Sequence, residues 1–242
     1  STTAMFFLIY LISRICLKDK TMVGSFAQGA VRGSAAILGI PFVTNIYGEP
    51  GMVPLMILAA VPLFNAYSVV ILTISSRKFL SGSKTKIQYR LILKSIFKNP
   101  LIRGILIGFP FCILGIKLPP ILDKSLTSIG TMAVPLMLIS IGADFKMSDL
   151  TAKFKLSAIA SAIKLVILPL AVLPIAIYMG FRDSALIAIL VMLGAPSAVS
   201  GYIMSKAMDN DYVLMSNIVV MTTLLSSVTF TFYVLDIGIL VI

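Results

Sequence analysis

Long uncharged, mostly apolar stretches alternate along this chain with short segments that carry nearly all of its charges. Four stretches lie near or above the roughly 20 residues that a helix needs to cross a bilayer, at 51–76, 125–143, 184–205 and 212–235. Four others are shorter or contain a basic residue, at 1–17, 33–48, 99–118 and 156–181. A basic side chain such as Lys164 can reach the membrane interface from inside such a stretch. The pattern therefore predicts an all-α polytopic membrane protein with eight spans.

The composition of the chain agrees with this pattern. Hydrophobic residues make up 59% of the chain and charged residues 12%, and the mean hydropathy is +1.05. A soluble domain neither needs so much apolar surface nor tolerates so few charges, so lipid is the expected solvent. The net charge of +11 does not indicate a nucleic-acid partner, because the basic residues lie between the predicted spans rather than on a soluble face.

The positions of the basic residues predict the orientation of the chain. If the first span runs from outside to inside, only Lys117, Lys124 and Arg182 fall on the outer side. The other basic residues, apart from Lys164 within a span, then flank the inner ends, and Arg32 is interpreted as one of them. Because inner loops of membrane proteins carry the excess of Lys and Arg, we expect a multi-pass protein of a cell membrane, of the bacterial inner-membrane type.

A basic connection divides the predicted spans into two groups. It covers residues 77–98 and is interpreted as a cytoplasmic loop, with a lipid-binding or regulatory role left open. Residues 1–76 then form a first repeat of three spans, and residues 99–242 form a second repeat of five spans. The predicted domain organisation is two unequal repeats joined by this loop.

A short motif occurs once in each predicted repeat. The letters LGIP occupy 38–41 and LGAP occupy 193–196, and each copy is followed in the next span by an asparagine and a valine pair, with Asn65 in the first and Asn217 in the second. The copies are five spans apart, an odd number, so the second would enter the membrane from the opposite side. Gly/Pro-interrupted segments at corresponding positions of inverted halves indicate the substrate site of a transporter.

The motif predicts two broken helices that meet in the membrane interior. Proline removes a backbone donor and glycine frees the chain from helical geometry, and such irregular backbone is tolerated only inside protein or beside a wet cavity. Helix N-termini that follow the breaks expose amide groups and a positive dipole end, which suit a carboxylate. The breaks, predicted at 39–41 and 194–196, therefore favour a small organic anion as substrate.

The predicted substrate-binding residues share a position at or beside these breaks. They are Ser34, Gly39, Pro41, Asn65, Gly194, Pro196, Ser197, Ser200 and Asn217. The alternative interpretation is that the polar members among them only bridge helices. No catalytic residue, metal ligand or cofactor is predicted, because the chain has no histidine and shows no paired intramembrane carboxylates or metal-ligand spacing. An enzyme is therefore not expected.

Five segments, in this order, carry a resemblance to a known family. They are RGSAAILGIP at 32–41, NP at 99–100, AVPLMLISIG at 133–142, GAPSAV at 194–199 and TTLL at 222–225. Through them the chain resembles the auxin efflux carrier family, which includes plant auxin exporters and bacterial malate or malonate permeases. One departure lies at the first break, where the family often has an asparagine and this chain has Ser34.

The resemblance implies an inverted-repeat transporter fold shared with bile-acid sodium symporters. That fold has ten spans in two inverted units of five, with the fourth and ninth broken and crossing at the substrate site. On this scheme the chain begins at the third helix of the family, so the first two spans are expected to be missing. Eight spans with two broken crossover helices would then be present.

The predicted function is a secondary active transporter that moves a small organic anion by alternating access. The helices with the breaks would rock against the fourth and fifth predicted spans. Coupling to protons or to the membrane potential is expected, with Na+ as the rival ion. The expected partners are the organic anion and membrane lipid, and a homodimer is left open. The alternative function is a non-transporting membrane subunit or sensor.

Overall fold

The computed structural model describes residues 2–81, 100–144 and 146–241, and these residues are mostly helical. The helices are α1 (Thr2–Cys16), α2 (Thr21–Val31), α3 (Ala35–Tyr47), α4 (Val53–Ser75), α5 (Arg77–Leu80), α6 (Pro100–Ile113), α7 (Pro120–Asp144), α8 (Met147–Ala162), α9 (Leu168–Tyr178), α10 (Asp183–Gly194), α11 (Val199–Ala207) and α12 (Tyr212–Val241). A π-helical turn, Ile163–Ile167, joins α8 to α9 without a break.

Four of the described helices are long and apolar enough to cross a membrane. They are Val53–Ser75, Pro120–Asp144, Thr151–Tyr178 and Tyr212–Tyr233. Helices α1 and α10 are apolar but shorter. The prediction of a helical membrane protein is therefore confirmed, whereas the count of eight spans stays a prediction.

The main hydrophobic core lies among α1 to α4, α8 to α10 and α12. It contains Phe6, Phe26, Phe64, Leu190 and Ile218, all of them buried. Helix α2 passes through this core, and its residues from Val23 to Val31 are all buried. Arg32 was expected to flank an inner loop, and that expectation is wrong because α2 carries it into the packed interior.

Helices α6 and α7 stand apart from this core. Their apolar side chains are mostly exposed, and Ile141 is the buried residue that α7 contributes to a small cluster with Tyr202, Met215 and Val219. The main contacts of the pair with other described helices are those of α6 with α4 and of α7 with α11. Their ranges overlap those of the predicted fourth and fifth spans.

Two pairs of consecutive helices are separated by short extended segments. Arg32–Ser34 separates α2 from α3, and Ala195–Ala198 separates α10 from α11. The second break was predicted correctly, because Pro196 follows the C-cap residue Ala195, whose extended backbone suits a residue before proline. Each of the four helices is shorter than a membrane span.

The first break was predicted at the wrong position. Gly39 and Pro41 lie inside the continuous helix α3, and Pro41 is exposed. A proline inside a helix removes one hydrogen bond, and membrane helices tolerate that loss when neighbouring groups compensate. The chain leaves helical geometry earlier instead, at Arg32–Ser34, where partners from the second break are available.

The predicted basic loop at 77–98 is described only in its first residues. Arg77–Leu80 form the short helix α5, and Ser81 follows it. The rest of the loop lies outside the described residues. The division into repeats 1–76 and 99–242 stays a prediction.

Candidate functional site

The two helix breaks cross each other and are joined by main-chain hydrogen bonds. The N–H of Ser34 donates to the carbonyl oxygen of Pro196 at 2.8 Å, and the N–H of Ala198 donates to that of Arg32 at 3.1 Å. Gly33 and Ser197 face each other as an antiparallel bridge. The backbone groups released by each break therefore find partners in the other break, as the buried setting requires.

Gly33 allows the two breaks to approach closely. A Cβ atom on Gly33 would lie 2.9 Å from Nζ of Lys164 and 3.2 Å from the carbonyl oxygen of Met192. Both distances are shorter than ordinary contacts between carbon and these atoms. A residue with a side chain would therefore have to displace the end of Lys164 and shift the crossing backbone by a few tenths of an ångström.

Lys164 binds the carboxyl ends of the helices that lead into the crossing. Its side chain is fully buried, and Nζ donates to the carbonyl oxygens of Val31 at 2.9 Å and Leu193 at 2.6 Å. The carbonyl oxygen of Met192 lies 3.5 Å away. The expectation that Lys164 reaches the membrane interface is wrong, because the unpaired carbonyls of α2 and α10 hold it inside.

Arg32 places a second buried positive charge beside the crossing. Its Nη2 donates to Oδ1 of Asn65 at 2.6 Å and to Oγ of Ser200 at 2.8 Å. Its Nη1 lies 2.9 Å from Sδ of Met204. Arg32 therefore links the first break to α4 and to the first turn of α11 through neutral groups.

The helices that leave the crossing begin next to this charge. Helix α3 starts after Ser34 and α11 after Ala198, and neither has a side-chain cap at its N-terminus. The N–H of Ser197 donates to Oγ1 of Thr222 at 3.0 Å, and the Ser197 hydroxyl donates to the carbonyl oxygen of Gly29. Helix N-termini attract anions through their free amides and dipole, so both ends reinforce the field of Arg32.

A buried amide fixes α2 against α11. Nε2 of Gln28 donates to the carbonyl oxygen of Gly201 at 3.0 Å and to Oγ of Ser205 at 2.7 Å. The Ser205 hydroxyl also accepts a hydrogen bond from Ser25 at 3.0 Å. These contacts hold the two half-helices in register on the side where Arg32 lies.

Six of the predicted site residues lie at the crossing or contact a residue there. Ser34, Pro196 and Ser197 make the main-chain contacts between the breaks. Gly194 is the last residue of α10, while Asn65 and Ser200 contact Arg32. The structure therefore brings these residues together, whereas their role in substrate binding stays a prediction.

Three predicted residues have other surroundings. Gly39 lies within α3, where a Cβ would be 2.7 Å from Cγ1 of Val191, so it allows close packing on α10. Pro41 is exposed on the same helix. Asn217 donates to the carbonyl oxygen of Asp149 at 2.9 Å and lines a small cleft with Tyr202 and other residues of α7, α8, α11 and α12.

Sequence reasoning missed Arg32 and Lys164 as candidate site residues. Both were assigned to the membrane interface because basic residues usually lie there. A usable signal was present, since Lys164 lies near the middle of a long apolar stretch and Arg32 directly precedes the glycine and serine of the resemblance motif. Basic residues inside membrane segments usually face the protein interior and mark functional positions.

Comparison with known proteins gives the chain a family context. Residues 1–234 match the model of a family described as membrane transport protein. This match confirms the family-level resemblance to the auxin efflux carriers, while the likeness to the bile-acid symporter fold stays a prediction. No curated protein shows a significant similarity to the chain.

Proposed function

Because the chain belongs to the membrane transport protein family, we propose that it is a secondary active transporter for a small organic anion such as a carboxylate. The anion binds at the crossing of the two helix breaks, next to Arg32. The helices with the breaks belong to inverted halves, and the antiparallel bridge between Gly33 and Ser197 supports that arrangement.

The single observation that carries this proposal is the buried guanidinium of Arg32. Arg32 is 6% exposed, and its described hydrogen-bond partners are neutral. The ion pairs among the described residues involve other side chains, Lys153 with Asp211 and Lys206 with Asp144. A buried charge without a counter-ion is costly, and a carboxylate matches the planar donor fork of arginine.

The separation of α6 and α7 from the main core supports alternating access. A transporter of this kind opens its central site to each side when one bundle moves against another. Helices α2, α3 and α10 share one hydrophobic core, whereas α6 and α7 contribute little buried surface to it. The bundle with the crossing would therefore move as a unit against α6 and α7.

Replacing Arg32 tests the proposed anion site. We expect Arg32→Ala to weaken binding of the best-bound carboxylate at least tenfold, because it loses about 1.5–3 kcal/mol of charge-assisted hydrogen bonding. Arg32→Lys keeps the positive charge but not the planar donor fork, so it should lose less carboxylate affinity than Arg32→Ala. Binding is measured on the purified protein by calorimetry, after a thermal-shift screen of mono- and dicarboxylates has identified the tightest ligand.

The matched control for Arg32 is Arg14→Ala, which removes an exposed arginine at the end of α1. It should bind the carboxylate as tightly as the unmodified protein. Equal affinity of Arg32→Ala and Arg14→Ala would refute the proposed site. Size-exclusion profiles of both variants show whether the folded state is kept.

The two asparagines of the repeated motif should differ in their effect on binding. Asn65 accepts a hydrogen bond from Arg32, so Asn65→Ala should weaken carboxylate binding by about threefold to tenfold through loss of that positioning contact. Asn217 contacts Asp149 instead, so Asn217→Ala should leave affinity unchanged. Calorimetry with the same ligand compares the pair, and a larger loss for Asn217→Ala would contradict the assignment.

A further inference from the structure

The crossing concentrates negative partial charge as well as positive charge. Val31 is the last residue of α2, and Leu193 lies in the last turn of α10. The last four carbonyls of a helix have no partner inside the helix, and the macrodipole places about half a negative charge at that end. Two such ends that converge away from water need hydrogen-bond donors beside them, and a cation also offsets their negative partial charge.

Lys164 supplies that cation from a neighbouring helix. An ammonium group has three N–H donors, and three main-chain oxygens lie within 3.5 Å of Nζ, those of Val31, Met192 and Leu193. The lysine belongs to the π-helical turn Ile163–Ile167, a local irregularity that is frequent at functional sites. No carboxylate of the described residues pairs with it.

The oxygens around Lys164 are also of the kind that bind a free cation. In transporters with broken helices, unwound carbonyls and half-helix C-termini can coordinate Na+ or H+. A sodium ion and a lysine ammonium present the same single positive charge to such oxygens. The side chain of Lys164 therefore occupies the position that a free coupling cation would need.

We propose that Lys164 is a built-in cation that replaces a coupling ion at the crossing. Substrate binding then needs no Na+, and removal of the side chain creates a site for a monovalent cation. The statement about substrate binding rests on the proposed transport function, whereas the statement about the cation site concerns the stability of the crossing itself.

Thermal unfolding of purified variants in different salts tests the proposal. Lys164→Ala removes the charge and leaves space, while Lys164→Met removes the charge but fills the space. Both should melt at least about 5 °C below the unmodified protein in choline chloride, since a few kcal/mol corresponds to such a shift for a chain of this size. Adding NaCl at constant ionic strength should raise the melting temperature of Lys164→Ala until it saturates near that of the unmodified protein. The melting temperature of Lys164→Met should not change.

Two controls complete the experiment. The unmodified protein should melt at the same temperature in sodium, potassium and choline chloride. Lys155→Ala, which removes an exposed lysine from the same continuous helix, should behave like the unmodified protein in every salt. KCl and LiCl titrations of Lys164→Ala show which monovalent ion fits the space.

Three outcomes would overturn the proposal. They are a saturable Na+ dependence of the unmodified protein, full stability of Lys164→Ala in choline chloride, and a loss of stability in Lys164→Ala that no monovalent cation restores. If Lys164→Ala does not fold in any salt, the Na+ titration of the unmodified protein still tests the proposal, because a saturable Na+ dependence would overturn it.

Failure of the transport function would be recognised separately. In that case no carboxylate would shift the melting temperature of the unmodified protein in any salt, while the cation response of Lys164→Ala would remain. If carboxylate binding is seen but requires Na+, the transport proposal stands and the role of Lys164 is refuted.

Discussion

Gly33→Val should eliminate carboxylate binding and uptake. The valine would place its Cβ 2.9 Å from Nζ of Lys164 and 3.2 Å from the carbonyl oxygen of Met192, and its methyl groups would reach further. The breaks would have to separate, with loss of the main-chain bonds of Ser34 and Ala198. We expect an unfolding cost of about 1–3 kcal/mol, typical of overpacking, and binding below detection by calorimetry.

The control for Gly33→Val is the same substitution at Gly104. Gly104 lies inside α6, and a Cβ there would meet no described atom within 4 Å. Gly104→Val should therefore keep normal affinity and a nearly normal melting temperature. Normal carboxylate affinity in a folded Gly33→Val protein would show that the close approach of the two breaks is not needed for binding.

The apolar pattern predicted the long helices because lipid imposes a length on them. A helix exposed to hydrocarbon needs about 20 apolar residues, and the predicted stretches at 51–76 and 212–235 overlap α4 and α12 closely. Helix α2 escaped the prediction because it is 11 residues long, lies between Lys20 and Arg32, and packs against protein. Its length is set by the crossing rather than by the bilayer.

The position of a helix break could be predicted where the local sequence itself marks that break. At the second break Pro196 itself interrupts the helix, so its position was clear from the sequence. At the first break the visible marker, Pro41, is tolerated within α3, while the break at Gly33 depends on Pro196 and Lys164 from distant parts of the chain. Only the tertiary contacts identify it.

The same limit applies to the basic residues of the site. Hydropathy assigns an arginine or lysine to the interface because a lone charge in hydrocarbon is costly. The cost falls when carbonyls or amides bind the charge, as the ends of α2 and α10 do for Lys164 and as Asn65 does for Arg32. Such partners exist only after the helices have crossed.

Tyr202→Ala should destabilise the protein and separate α7 from α11. The ring of Tyr202 is fully buried and packs with Ile141, Met215 and Val219, and its hydroxyl donates to Asp144 at the end of α7. Truncation of a buried aromatic residue costs about 3–5 kcal/mol, a large part of the stability of a typical domain. We expect the melting temperature to fall by about 6 °C or more, with at least tenfold slower uptake into proteoliposomes.

Tyr202→Phe distinguishes packing from the hydroxyl contact in this prediction. It keeps the ring but removes the hydrogen bond to Asp144, so the cost should be only about 1 kcal/mol. The remaining ion pair between Lys206 and Asp144 is partly exposed and adds little, because exposed pairs contribute about 1 kcal/mol or less. If Tyr202→Ala lowers stability no more than Tyr202→Phe does, the buried ring does not hold α7. Another contact would then have to connect α7 to α11 while the core moves against α6 and α7.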